Sequence, residues 1–188
     1  MKHKFLDKKT KYTGEQLQSL YAYLNFEVLG DSVISWTGAC DVSLDHMVDG
    51  EDLLVKAKIQ SDDMLHFIVE KFNTNLESMV LMQRLLAGLV IKEIKVLSKT
   101  EDTKELVRKG DDIYCADKKL NVSIATISPS SALMHFGINI GNAGTPVPTC
   151  SLDDFKIDAK VFANNIMERF TAEVASVTRA TQKVKWVK

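Results

Sequence analysis

The stretch that decides the fold is VRKGDDIYCADKKLNVSIAT, residues 107–126. Apolar and polar residues alternate around Ile113 and again through Leu120, Val122 and Ile124. A period of two marks β-strands. Gly110-Asp111 and Asp117-Lys118 are residue types that turn one strand into the next. The same reading extends outward to strands over 106–109, 113–115, 120–127 and 132–140, the last two linked by Ser128-Pro129-Ser130. On either side the period lengthens. Leu76, Met79, Val80, Met82, Leu85, Leu86 and Leu89 predict a helix over 75–91, after which 98–104 is a polar connector. Val161, Phe162, Ile166, Phe170, Val174 and Val177 predict a long helix over 158–180.

Nearer the start, Thr13 and Gln16 form a capping pattern ahead of Leu17, Leu20, Tyr21 and Leu24, which predicts a helix over 14–25. Ser32–Trp36 reads as a strand. Residues 37–62 read as irregular, with a short element at 53–57, and 141–151 read as a loop. Ser61-Asp62-Asp63 is a favourable helix start. With Leu65, Ile68, Val69 and Phe72 behind it, a helix over 63–72 is expected. Together these elements make one α+β domain over residues 1–188, a mixed and mostly antiparallel sheet flanked by helices.

Composition narrows the classes of function. The chain has 188 residues, of which 45% are hydrophobic and 26% charged, and its formal net charge is −1. There is no general basic field to hold nucleic acid phosphates, so bulk nucleic acid binding is not expected. The basic opening MKHKFLDKKTK lacks an apolar segment behind it, and no apolar run approaches the length of a bilayer span. The three cysteines, Cys40, Cys115 and Cys150, form no CxxC pair. A cytoplasmic protein with no membrane partner is therefore expected.

Residues 107–126 resemble the stretch of biotin protein ligases built on K-W-P-N-D-[LI]-Y and a following [KR]-K-L-x-G. Asp112, Tyr114, Lys119 and Leu120 are identical to that pattern, with conservative partners at Val107, Arg108, Ile113 and Lys118. His135-Phe-Gly-Ile-Asn-Ile140 resembles the later G-x-G-I-N-[LV] strand, and lipoate protein ligases carry a related N-D-L, K-[IV]-x-G and H-H-G-T-L series. Over its whole length the chain resembles family 366 of the domains of unknown function, through MLHFIVE (64–70), QRLL (83–86) and HFGINI (135–140). That family is grouped by fold with biotin and lipoate ligases and class II aminoacyl-tRNA synthetase cores.

The resemblance implies a biotin/lipoate ligase-like fold and ATP-dependent adenylation or acyl transfer of a small carboxylate. A carboxylate and a phosphate must meet there, so a cation at their join gains most as charge develops. Lys119 stands at the ligase lysine and is the candidate catalytic residue. Asp111 and Asp112 stand at its N-D pair and are candidates for nucleotide binding. An acidic pair can also take Mg²⁺. The chain departs from the ligases at Lys58–Met64, where their Gly- and Arg-rich phosphate loop would lie, and at Val122, which replaces a glycine. The alternative is a non-catalytic small-ligand-binding or protein-interaction module that has lost that loop.

Other candidates surround these residues. Asp62, His66 and Glu70 recur every fourth position and would share a face opposite Lys119, with Asp62 joining Asp112 as a metal ligand. His135, Asn139 and Trp36 complete the set of candidate binding residues. Asp45, His46, Asp49, Glu51 and Asp52 read as a solvated loop able to cover a substrate. The partners expected are a small carboxylate or nucleotide-like ligand, and a homodimer is compatible with the sequence.

Overall fold

The computed structural model describes residues 1–187 apart from 101, 102 and 104, so part of the polar connector lies outside the described residues. Strands β1 (Lys2–Phe5), β2 (Ser32–Val42), β3 (Ile59–Phe72), β7 (Asn121–Ile127) and β8 (Ser131–Asn139) form one sheet in the order β1-β2-β3-β8-β7. Only the β1–β2 pair is parallel. A second sheet joins β4 (Leu106–Lys109), β5 (Asp112–Cys115) and β6 (Lys118–Lys119). Helices α1 (Tyr21–Phe26), α2 (Gly50–Val55), α3 (Leu76–Leu97) and α4 (Ala159–Gln182) and a 3-10 turn at Leu44–His46 accompany the strands. The α+β class, the four hairpin strands and both long helices agree with the sequence reading. The second turn is shifted by one residue, since Cys115 pairs with Lys118 across Ala116-Asp117.

The expected helix over 63–72 is a strand. Every residue from Met64 to Glu70 is buried, because β3 is the central strand and both of its faces are covered. Leu65, Phe67 and Val69 pack against α3 and α4 with Val33, Met134 and Phe136. Met64 and Ile68 point the other way, onto Tyr12, Ala22, Val28, Ile34 and Trp36. A strand buried on both faces loses its alternation, and a short apolar run of that kind cannot be told from a helix by period. The strand Ser32–Trp36 likewise extends to Val42, which takes up part of the stretch read as irregular.

The capping contact expected near Thr13 exists, with the Thr13 amide donating to Gln16 Oε1 at 3.0 Å. The helix starts only at Tyr21, because Leu20 is left-handed with φ 64°. The Leu20 amide donates to both oxygens of the Glu70 carboxylate, at 3.0 and 3.1 Å, and Ser131 Oγ donates to Oε1 at 2.6 Å. Glu70 thus ties the covering segment to the sheet.

Replacing Phe67 by Ala is expected to cost about 3–5 kcal/mol in urea unfolding, since it leaves a cavity between sheet and helices. Leu54→Ala, at a side chain 85% exposed, should change stability by less than about 0.5 kcal/mol.

Candidate functional site

The β4–β5 hairpin and β6 meet the open end of the sheet at Lys119. Its backbone is clamped from three sides. The Lys119 amide donates to the Pro148 carbonyl at 3.0 Å, the Cys150 amide donates to the Lys119 carbonyl at 3.1 Å, and Asn139 Nδ2 donates to that same carbonyl at 3.2 Å. The side chain reaches back across the hairpin, and Nζ lies 2.9 Å from Asp112 Oδ1. Asp111 faces inward, accepting from Gln83 Nε2 at 2.9 Å and Ser123 Oγ at 2.6 Å. Asn121 holds the turn, donating to the Asp111 carbonyl and accepting from the Ile113 amide at 2.7 Å.

These residues open onto a cavity of about 310 Å³. Asp111, Asp112, Lys119 and Ser123 form one part of its lining, Tyr12 and His135 another, and His46, Asp49, Glu51 and Asp52 a third. The last group sits on a 3-10 turn at Leu44–His46 and on α2, which starts because Asp49 Oδ1 accepts from the Glu51 and Asp52 amides at 2.8 and 3.3 Å. Burial, followed by the charges of Asp49 and other carboxylates, raises the Asp52 carboxyl above its ordinary range, while Lys119 pulls it back. A neighbouring cavity of about 200 Å³ shares Asp52, Ile59, Lys119 and Val122 with the first and adds Met64, Asn139 and Pro146–Val147. Lys119 therefore stands at the wall common to both.

The structure brings Lys119, Asp111, Asp112 and His135 together, and it places Asn139 behind Lys119. It does not bring Asp62, His66, Glu70 or Trp36 to the lining of the first cavity. His66 and Glu70 do share a face, but of a strand, where a spacing of four also returns to the same side, whereas a bulge between Ser61 and Met64 breaks the alternation before it reaches Asp62. Glu70 serves the covering segment. Asp62 is exposed and lies against Gly144, so it and Asp112 do not form a pair on this cavity. Among the described residues no group of three or more His, Cys, Asp or Glu is placed to hold a metal ion. Trp36 is buried and its Nε1 donates to the Thr10 carbonyl at 2.9 Å. The acidic loop, by contrast, does cover the cavity. Tyr12, Gln83, Asn121 and Ser123 carry no site role in the sequence reading, although Gln83 opens the QRLL stretch. Gln83 lies within an apolar helix stripe, and Asn121 and Ser123 carry no motif of their own.

His66 and His135 form a buried chain beneath the cavity. His66 Nε2 lies 3.1 Å from the Gly38 carbonyl, and His66 Nδ1 lies 3.2 Å from His135 Nε2. Tyr12 stacks on His135 with ring centroids 3.7 Å apart. Two glycines make this possible. A side chain at Gly38 would collide with the Thr10 carbonyl, and one at Gly137 would press on the His135 ring. Burial lowers His66 to about 4 and, together with the neighbouring imidazole, holds His135 well below its ordinary value.

The family description "Domain of unknown function (DUF366)" matches residues 1–185. The chain belongs to the DUF366 family. It is 32% identical over 186 residues to Uncharacterized protein MJ0805 of Methanocaldococcus jannaschii, an alignment covering 95% of this chain and 82% of that protein. The solved Protein of Unknown Function from Pyrococcus horikoshi is 33% identical, with a TM-score of 0.90 over 99% of this chain and 100% of the other. The biotin protein ligase from Aquifex aeolicus in complex with biotin and ATP gives a TM-score of 0.58 at 12% identity, over 89% of this chain and 68% of that one. Protein Ta0514 from T. acidophilum with bound lipoic acid gives 0.56 at 14% identity, over 94% and 87%. This DUF366 chain has a biotin/lipoate ligase-like fold. No helix among its described residues is long and apolar enough to cross a membrane.

The buried imidazoles predict an acid-sensitive fold. An unfolded histidine titrates near 6.5 and His66 in the folded protein near 4. Between those values the unfolded chain binds a proton that the folded chain does not. Stability is complete above about pH 6.5 and falls as pH drops toward 4, by roughly 3 kcal/mol from His66 alone. Urea midpoints measured across this window should show that slope, and His66→Gln, which keeps a donor for Gly38, should flatten it.

Proposed function

We propose that this protein binds a small carboxylate at Lys119, and that its ligase-type chemistry is adenylation of that acid by ATP. The observation that carries the reading is the Lys119 ammonium at the wall shared by two cavities, fixed by its own backbone and 2.9 Å from Asp112. An ammonium has three donors, and Asp112 takes one of them. The remaining donors can hold a ligand carboxylate. In the reaction, a carboxylate oxygen forms a bond to the α-phosphorus of ATP, and the bond from that phosphorus to the pyrophosphate oxygen breaks. Lys119 would offset the negative charge gathered at the join. The solved ligase neighbours, among them one with biotin and ATP bound, support the class of ligand.

A specific observation favours a second reading, a binding module without catalysis. Residues 58–64 hold no glycine and run into β3, and the larger cavity presents Asp49, Glu51, Asp52, Asp111 and Asp112 against Lys119. Backbone amides and cations normally wrap a phosphate chain. The carboxylate-rich wall of the larger cavity would repel ATP phosphates, so these carboxylates have no role in holding them. In the adenylation reading the phosphates would meet Lys119 from the neighbouring cavity, which has only Asp52 among those carboxylates.

Pyrophosphate exchange from ATP–Mg²⁺ across a panel of small carboxylic acids separates the two readings. Adenylation predicts acid-dependent exchange that Lys119→Ala abolishes. Absence of exchange with every acid, alongside melting-temperature shifts with the acids alone, selects the module. In either reading Lys119→Ala should weaken acid binding roughly ten- to a hundredfold, as expected for one charge-assisted contact.

A further inference from the structure

The histidine chain fixes which proton sits on which nitrogen. The Gly38 carbonyl can only accept, so His66 Nε2 carries a hydrogen and donates it. Burial keeps His66 neutral, which leaves its Nδ1 a bare acceptor. His135 Nε2 must then donate to it across 3.2 Å. His135 is neutral too, and so its own Nδ1 carries a lone pair and no hydrogen.

That nitrogen has no hydrogen-bond partner among the described residues. His135 is only 3% exposed, yet it lines the larger cavity. The sealed, unpartnered polar atoms of the described residues are Ser32, Ser35 and Ser61 Oγ and Glu93 Oε2. His135 Nδ1 is not one of them, so it faces the opening that the residue lines. An acceptor held in a fixed direction at a cavity wall is open to water, and a ligand donor can take that water's place. Tyr12 clamps the ring from one face, which fixes the direction of the lone pair.

The charge around it selects the kind of donor. Asp49, Glu51, Asp52 and Asp111 line the same space, and Lys119 already answers Asp112. Asp49 is engaged in capping α2 and Asp111 in its contacts with Gln83 and Ser123. No hydrogen bond or ion pair engages the side chains of Glu51 and Asp52 among the described residues. We propose that this cavity recognises a protonated amine on its ligand, with an N–H donated to His135 Nδ1 and the positive charge balanced by Glu51 and Asp52. A neutral hydroxyl would satisfy the imidazole but leave the excess negative charge unanswered. The raised Asp52 carboxyl is one that a nearby cation would relieve. The inference rests on the proposed ligand site and supplies its second half: the small acid bound at Lys119 also carries an amine.

The test uses the whole chain and three matched probes: a short ω-amino carboxylate, and the alkanoate and alkylamine of the same length. Long-range proton–nitrogen NMR of the imidazoles first reads the tautomers. Hydrogens on both Nε2 atoms are expected, and a hydrogen on His135 Nδ1 in the free protein overturns the proposal. Titration of the amine and of the amino carboxylate should then shift the His135 Nδ1 resonance, whereas the alkanoate should leave it in place. The alkanoate response is read instead as a shift in melting temperature. Glu51→Gln with Asp52→Asn, both on the outer helix α2, should weaken the amine response about tenfold or more and spare that alkanoate response. Lys119→Ala should do the reverse. An alkanoate response with no amine response overturns this inference while leaving the Lys119 site standing, and an amine response without an alkanoate response does the opposite. A response to Mg²⁺ or Zn²⁺ at His135 with none to amines also overturns it.

Discussion

The hydrogen bond between His66 and His135 constrains more of this structure than its size suggests. It links the two central strands β3 and β8, and through the Gly38 carbonyl it reaches β2 as well. Both rings are buried, so neither can be charged at neutral pH without large cost. Neutrality leaves each ring one donor and one acceptor, and the chain of partners assigns them in a single way. Gly38 leaves room for the Thr10 backbone and Gly137 for the His135 ring and Met64, and Tyr12, stacked on His135, lies on the amino-terminal segment that runs over the sheet. A polar pair in a buried sheet thus joins three strands, supports the stacked Tyr12 of the covering segment and directs a free lone pair.

The charged part of the site has a different physical basis. Lys119 is positioned by backbone hydrogen bonds to the segment 148–150 and by Asn139, not by its own side-chain packing. Its ammonium is half-buried and answers Asp112 at a distance where the pair is only partly screened. The acidic helix α2 sits across from it. The balance of one ammonium against several carboxylates is the main way in which this cavity departs from what an ATP phosphate chain would prefer. The fold is that of the biotin and lipoate ligases, but a fold carries many chemistries, and the chemistry resides in the groups that line the site.

Much of the fold was legible because hairpin strands and long amphipathic helices each announce their period. Residues 106–140 and both long helices fall where the alternation and the helical stripes put them. The central strand β3 did not, and its burial explains why. Met64–Glu70 has neighbours on both faces, so the polar residues that would expose a period of two are absent or, like His66, hidden in the core. The candidate site was legible at Lys119, Asp111, Asp112 and His135, which sit on the recognisable hairpin and its neighbouring strand. Glu70 shares a face with His66, but the long strand carries it to the far end of the sheet from Asp62, which a bulge sets apart from both.

The amino-acid sequence by itself determined the class, the order of the hairpin strands and the two long helices, which depend on contacts between residues close in the chain, where spacing alone is informative. Lys119, Asp111 and Asp112 stood out only through the resemblance to the ligases. Tertiary structure decided that β3 is a strand, that Tyr12 caps His135, that Gln83 and Ser123 hold Asp111, and that the acidic stretch 45–52 covers the cavity. Each of those joins groups far apart in the chain. Their meeting is settled by which faces of sheet and helix are buried together, a quantity that no local pattern records.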